Sequence, residues 1–213
     1  MNRNDPPRQR TRRTILDALA EVIVESNGLG FSVQEVADRA GLTHRTVYNH
    51  FPTREALCEG FAAHVEELLS TLGPPPDAKL SLETFASVVG DAYRGFGARE
   101  LHVRAYVMLM VANRGPVKLW RERTKVFEDL IARNTAAPPP LTPRHVTAAV
   151  RMFVSSTGWH VLTEHLGLSS EDAAATATWA TRTLLDAVKP KQRSIRSRKN
   201  SNRGAHDKQR RRG

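Results

Sequence analysis

Cysteine occurs once in this chain, at Cys58, which rules out a disulfide within it and fits a reducing compartment. A redox-sensing thiol is the alternative reading of Cys58, but its place in an apolar helical pattern favours plain packing. Long apolar runs are missing as well. Asp17 and Glu21 interrupt the stretch from Ile15 to Val24, so no export signal is expected, and nothing approaches the roughly 20 apolar residues of a membrane-spanning helix. The expected location is therefore cytoplasmic, with no membrane partner. No strand pattern survives along the chain, which leaves an all-α class. Aromatics make up only 6% of the residues, yet 40% hydrophobic content over 213 residues suffices to bury a helical core.

Catalytic signatures are scarce too. The chain has no phosphate-binding loop, no GxSxG and no dinucleotide fingerprint. Its eight histidines show no metal-ligand spacing: His160 and His165 stand five apart, off one face of an α-helix. Glu100, Glu128 and Glu164 are the carboxylates that an enzyme pocket would use, and surface positions suit each better. An enzyme, a cofactor and a metal are not expected.

Acid is absent from Thr43 to His50, whereas the chain is basic overall, with a net charge of +10. That charge sits at the two ends. Residues 189–213 hold 11 Lys and Arg against the single Asp207, and residues 1–13 hold five Arg against Asp5. Both ends lack apolar periodicity, so a basic disordered arm (1–13) and a basic disordered tail (189–213) are expected. Arg8, Arg10, Arg12 and Arg13 would follow a phosphate backbone or enter a minor groove, and each neutralised phosphate steepens the salt dependence of binding. The tail is read as unspecific contact with nucleic acid, with a solubility extension as the alternative.

The segment from Val33 to Leu57 carries the strongest pattern. Val33, Val36, Ala37 and Ala40 form one apolar stripe of a short helix, opened by Ser32 and Glu35 as a capping box. Gly41 suits a sharp turn, Leu42 tucks under the corner, and Thr43 caps a second helix whose apolar face is Val47. His44, Arg45, Thr46, Tyr48, Asn49 and His50 are left to the other faces. A helical hairpin that merely faces water would carry Glu and Lys there; this mixture instead supplies the donors used on phosphates and base edges.

These residues resemble the N-terminal domain of TetR-type transcriptional regulators. The resemblance rests on Tyr48, Asn49, His50, Phe51, Pro52, Thr53, Arg54, Glu55 and Leu57, which reproduce the run that ends that family's recognition helix, and it covers about residues 11–61 by motif. Two positions depart from the pattern: Arg54 stands where the family more often has Lys, and Arg45 where Gly or Ala is common. The resemblance implies that Thr43, His44, Arg45, Thr46 and Asn49 approach base edges or flanking phosphates, with Tyr48, His50 and Arg54 on phosphates. Arg45 is the expected guanine reader. His50 reads equally as a residue that holds the end of the helix.

The remainder reads as helices between breakers. Ile15, Leu19, Val22 and Ile23 line a first helix that completes a three-helix DNA-binding domain, residues 14–52. Leu57, Phe61, Val65, Leu68 and Leu69 mark a connector helix, ended by Pro74, Pro75 and Pro76. Patterns over Leu82 to Phe96, Leu101 to Ala112 and Val117 to Ile131 follow, broken at Gly97 and at Gly115 with Pro116, and Pro138, Pro139 and Pro140 break the chain again. A long helix from Val146 to Leu166 and a last one from about Ser170 to Val188 complete a body over residues 53–188.

The final two helices are narrow, with Ala148, Ala149, Ser155, Ser156, Gly158, Ala173, Ala174, Ala175, Ala177 and Ala180. By resemblance this body is a ligand-binding and dimerisation domain, and the narrow helices would form a four-helix bundle between two copies of the chain; packing within one chain is the alternative. An effector cavity is implied in the same way. His102, Tyr106, Met108, Met110, Trp120, Phe127, Met152, Phe153, Trp159 and His160 are its candidate lining, although such residues at helical spacing are more often plain core. The expected protein is a ligand-responsive repressor, a homodimer on an inverted-repeat DNA operator and so nucleoid-associated when bound, with an effector that no residue identifies. A nucleic-acid coating protein driven by its basic ends is the second reading, and a helical small-molecule-binding protein or enzyme the third.

Overall fold

The computed structural model describes residues 6–28, 30–72, 82–112, 118–136 and 140–189, of which 82, 83, 118–123 and 126 are described by backbone alone. Every regular element among them is a helix: α1 Pro7–Glu25, α2 Val33–Ala40, α3 His44–His50, α4 Arg54–Ser70, α5 Leu82–Gly97, α6 Glu100–Ala112, α7 Lys118–Asn134, α8 Pro143–Phe153, α9 Ser156–His160 and α10 Ser170–Ala187. The all-α expectation holds. No helix of the described residues is long and apolar enough to cross a membrane. Pro74, Pro75 and Pro76, Pro138 with Pro139, Gly115 with Pro116, and the tail beyond Lys189 lie outside the described residues.

α1 to α3 close around one apolar centre. Ile15, Leu19, Val36, Ala37, Val47, Leu57 and Phe61 are wholly buried there. Arg39 ties the domain together at its rim: Nη1 donates to Glu25 at 2.8 Å and to Glu21 at 3.0 Å, so α2 is held to the last turns of α1. These bonds favour the charged forms, raising Arg39 and lowering Glu25.

Two elements differ from the sequence reading. α1 begins at Pro7, not near Thr14, so half of the expected disordered arm is helical. Pro6 and Pro7 account for it: proline at the first helical position loses no hydrogen bond, and its φ is already helical. Arg8, Arg10, Arg12 and Arg13 thereby gain fixed directions on a helix. The long pattern from Val146 to Leu166 is also broken. Ser155 turns extended (φ −129°) and caps α9, accepting from Gly158 N–H at 3.0 Å, and α9 then widens into a π-turn over Val161–His165. Leu166 N–H donates to Val161 O at 3.1 Å, five residues back, so side chains five apart now share a face. The rings of His160 and His165 meet at 5.7 Å, contrary to the α-helical spacing argument that separated them.

The narrow face of α10 is spent within the chain. Ala173, Ala174, Ala177 and Ala180 are buried, and α10 packs along α5. A Cβ on Gly90 would come within 2.7 Å of Thr178 Oγ1, and Arg94 spans the two helices with bonds of 2.9 Å to both carboxylate oxygens of Glu171. These four alanines of α10 therefore serve packing within one chain, while Ala148 on α8 stays exposed. Ala175 and Trp179 lie on the exposed side. The connector α4 is not the only link between the two halves, since α1 also runs along α6. Asn27 and Gly28 turn through positive φ (50° and 72°) at the end of α1, and a Cβ on Gly28 would stand 3.2 Å from Cβ of Met108 on α6.

Candidate nucleic-acid interface

Local chemistry holds the α2–α3 corner. Ser32 N–H donates to Glu35 Oε2 at 2.6 Å, while Glu35 N–H donates to Ser32 Oγ at 3.1 Å, a closed capping box. The bonds from Ser32 hold the Glu35 carboxyl below its ordinary range. Gly41 takes the left-handed conformation (φ 65°), where a Cβ would be strained, and Leu42 N–H reaches back to Ala37 O at 2.9 Å. Thr43 caps α3 by accepting from Thr46 N–H at 3.2 Å, and the two hydroxyls are 2.8 Å apart.

Val47 is the single fully buried residue of α3 and decides its roll. His44, Arg45, Tyr48 and Asn49 are exposed; Thr46 and His50 are half-buried. His44 packs on Tyr48 with ring centroids 4.5 Å apart. The end of α3 is locked by Phe51, whose buried ring faces Gly60 of α4 and lies 4.3 Å beneath the Arg12 guanidinium of α1. Arg54 is engaged with the protein: its guanidinium covers the Phe31 ring at 4.3 Å and Nε donates to Phe31 O at 3.4 Å. Seven of the eight sequence-predicted residues thus stand on α3 or at its cap, with Arg54 just beyond.

Arg8 and Arg12, read from sequence as arm residues, join this surface. Burial first, then their positive charges, lower the pKa of His50 at the end of α3. The Pro6–Pro7 pair was the signal that could have placed them on a helix. α1 carries no acid in its first turn, and arginines at the positive end of a helix are electrostatically misplaced unless an anion joins them.

His50 and His160 make one prediction. His160 is lowered by burial first and by His165 and Arg104, against Glu164, which raises it. Both folded pKa values lie below 6.5, so the unfolded chain binds more protons in the window beneath that value. Their stabilisation is fully present above pH 6.5 and is lost as the pH falls towards the folded values. Thermal melts should show a lower midpoint at about pH 5.5 than at about pH 7.5; a midpoint that rises on acidification would contradict it.

The expected effector residues do not share one cavity. A cavity of about 520 Å³ lies against α7, α8, α9 and the π-turn, and of the nine candidates whose side chains are described only Met152 and Phe153 line it. Thr124, Glu128, Arg144, Arg151, Val161 and Leu162 are among its walls, and of these only Glu128 is weighed from sequence as a pocket residue, with the surface preferred for it. Phe127 packs edge-on against Phe85 at 5.2 Å, with the Arg151 guanidinium 5.1 Å from its ring. Trp159 and His160 are buried in the core beside the cavity. His102 and Tyr106 face the other way: His102 meets Asp17 of α1 at 2.9 Å, and Tyr106 donates to Glu66 of α4 at 3.0 Å. Met108 and Met110 pack against the core, and the side chain of Trp120 lies outside the described residues.

A capped helix-turn-helix with an acid-free outer helix, carried on a helical body, defines a class of DNA-binding regulator. Residues 15–60 match the family model of bacterial regulatory proteins, tetR family. The matches to curated relatives are of similar length. The HTH-type transcriptional regulator AlkX of Mycobacterium tuberculosis is 29% identical over 58 residues, 27% of this chain and 28% of that one. The nucleoid occlusion factor SlmA of a Marinomonas species is 36% identical over 61 residues, 28% of this chain and 31% of that one. The chain thus spans under a third of the length of these relatives. The fold match is longer: TylP, a TetR regulator from Streptomyces fradiae, superposes with a TM-score of 0.62 over 87% of this chain and 90% of that one, at 21% identity. Residues 15–60 match that family by sequence, and the chain shares the fold of TylP over 87% of its length.

Proposed function

We propose that the protein is a homodimeric, ligand-responsive repressor that reads an inverted-repeat operator, with residues 14–52 as the DNA-reading domain and 53–188 as the effector-binding and dimerisation body. The observation that carries the DNA-reading part is the pairing of α3's exposed, acid-free face with Arg8 and Arg12 at the positive end of α1. α3 enters the major groove with His44, Arg45, Tyr48 and Asn49 outward, and α1 sets its positive end against a flanking phosphate. Thr43, Thr46 and His50 lie at the edges of that contact, and Arg54 reaches a phosphate by leaving Phe31.

One recognition helix reads few base pairs; a two-fold pair reads two half-sites about one helical turn apart. Support for the pair comes from apolar side chains left in water on the C-terminal helices: Met152 is 64% exposed, Leu166 64% and Trp179 69%, with Val161 beside the cavity. Gathered into one patch, such residues would suit a partner surface. The effector reading rests on the cavity, whose volume lies in the range of ligand sites, and on Gly158 in its wall. A Cβ there would stand 2.8 Å from the Tyr93 hydroxyl, which, like Trp159 Nε1 and His160 Nδ1, is buried with no hydrogen-bond partner among the described residues. Burial pushes the Tyr93 pKa up, which keeps the hydroxyl a donor. None of the three lines the cavity, so an effector would meet these donors only by displacing its wall at Gly158. Binding that favours a wrong spacing of the two recognition helices would weaken operator affinity by about 1–3 kcal/mol.

Selection of duplexes from a random pool, with protein lacking the residues beyond Lys189 to remove unspecific attraction, should enrich an inverted repeat. Recovery of no common sequence would favour the coating-protein reading. On the selected operator, Arg45→Ala should cost about 1–3 kcal/mol of discrimination at one position of each half-site. Competition binding against that position's variants measures it, and uniform weakening across all of them would place Arg45 on a phosphate.

A further inference from the structure

Among the described residues, one group of three metal-ligating side chains meets in space: Asp17 of α1, His64 of α4 and His102 of α6, with their ligand atoms all within 4.8 Å of one another. Asp17 and His102 are 85 residues apart in sequence, and each of the three comes from a different helix at the seam between the DNA-reading domain and the body. We propose that these residues form a binding site for a divalent transition-metal ion, Zn²⁺ foremost, which clamps α1 to α4 and α6.

Two imidazoles and one carboxylate are a donor set of borderline-soft dications, and three protein ligands leave a position open for water. Tetrahedral bonds of about 2.0–2.1 Å place ligand atoms roughly 3.3–3.5 Å apart. That spacing falls between the present 2.9 Å from His102 Nε2 to Asp17 Oδ1 and the 4.8 Å outer limit of the group, so rotation of side chains is enough to close it. The ion takes the place of the hydrogen bond between Asp17 and His102: a neutral His102 ring keeps its proton on Nδ1 while Nε2 ligates, and only a charged ring releases one to solvent. Access is open: the side chains of Asp17 and His102 are 48% and 21% exposed.

An ordinary Asp–His pair explains part of this geometry and leaves His64 without a reason. The His64 ring stands edge-on to His102 with centroids 6.0 Å apart, and Phe61 stacks beside His102 at 6.4 Å. The neutral imidazole is the form that ligates. The clamp fixes the angle between the reading domain and the body without occupying the cavity at α8, so a metal and an effector act at separate places.

The test titrates the full chain, stripped by a chelator, with Co²⁺ alone. One ion per chain should bind, with visible d–d bands, no thiolate charge-transfer band, displacement by Zn²⁺, and a thermal midpoint that rises with metal concentration. His64→Gln and Asp17→Asn should each weaken binding by about a hundredfold, since even outer-shell losses reach that size. Cys58→Ser and His165→Gln should bind as the unaltered chain does. Helical circular dichroism confirms that each variant is folded, and half-exposed Asp17 keeps the test intact should His64→Gln not fold. Absence of saturable Co²⁺ binding, binding that both ligand variants leave unchanged, or a charge-transfer band that Cys58→Ser removes would overturn the site.

Discussion

Gly158→Ala should lower stability by about 2–3 kcal/mol, the upper part of what overpacking costs. The added Cβ would lie 2.0 Å from Met152 O and 2.8 Å from the Tyr93 hydroxyl. A side chain can rotate away from such a contact; a carbonyl at the end of α8 moves only if the helix does. Alanine's better helix propensity returns at most about 1 kcal/mol and cannot reverse the sign. For a chain of this length the loss corresponds to a fall of about 4–12 °C in the thermal midpoint, read at fixed protein concentration. Because Gly158 also lines the cavity, a midpoint that stays put would mean that the floor of the cavity is looser than its geometry implies.

The second large effect belongs to Gly60, and it reaches function through packing. Its Cβ would come within 2.4 Å of Phe51 Cε1 and 3.0 Å of Arg12 Nη2. Phe51 is the residue that ends α3, with its N–H on Val47 O at 2.8 Å, so the displaced ring carries the recognition helix with it. Gly60→Ala should cost a net 1–2 kcal/mol or so of stability after the propensity gain. Operator affinity should fall about tenfold, near 1.4 kcal/mol. Chemical unfolding and operator titration on the same preparation separate the two. Lost stability with unchanged affinity would show that Phe51 packs against α4 without placing α3.

Much of the reading domain was legible along the chain because its determinants are local. Ser32 with Glu35, Gly41, Thr43 and Val47 each act within one turn of their own position, and the structure keeps all of them in the expected roles. The outer face of α3 followed by subtraction, since Val47 alone is buried. Helix ends from α4 to α7 agree with the pattern within a few residues for the same reason. The failures have a shared cause as well. Periodicity shows that a helix has an apolar or narrow face and is silent on which neighbour covers it. The alanines of α10 therefore suited a partner copy as well as α5, and the aromatic and methionine residues of the body suited a cavity as well as a core.

The chain's own order thus suffices for the helical class, the capped corner and the polar face of α3, all of which rest on interactions within a few residues. Interactions across long sequence separation could not be read that way. The bend at Ser155 and the π-turn that brings His160 to His165 answer to packing among α5, α8 and α10, as does the cavity beside them. The meeting of Asp17, His64 and His102 is the sharpest case: no spacing rule joins residues on three helices, and only the crossing of α1 over α4 and α6 brings their ligand atoms within reach of one ion.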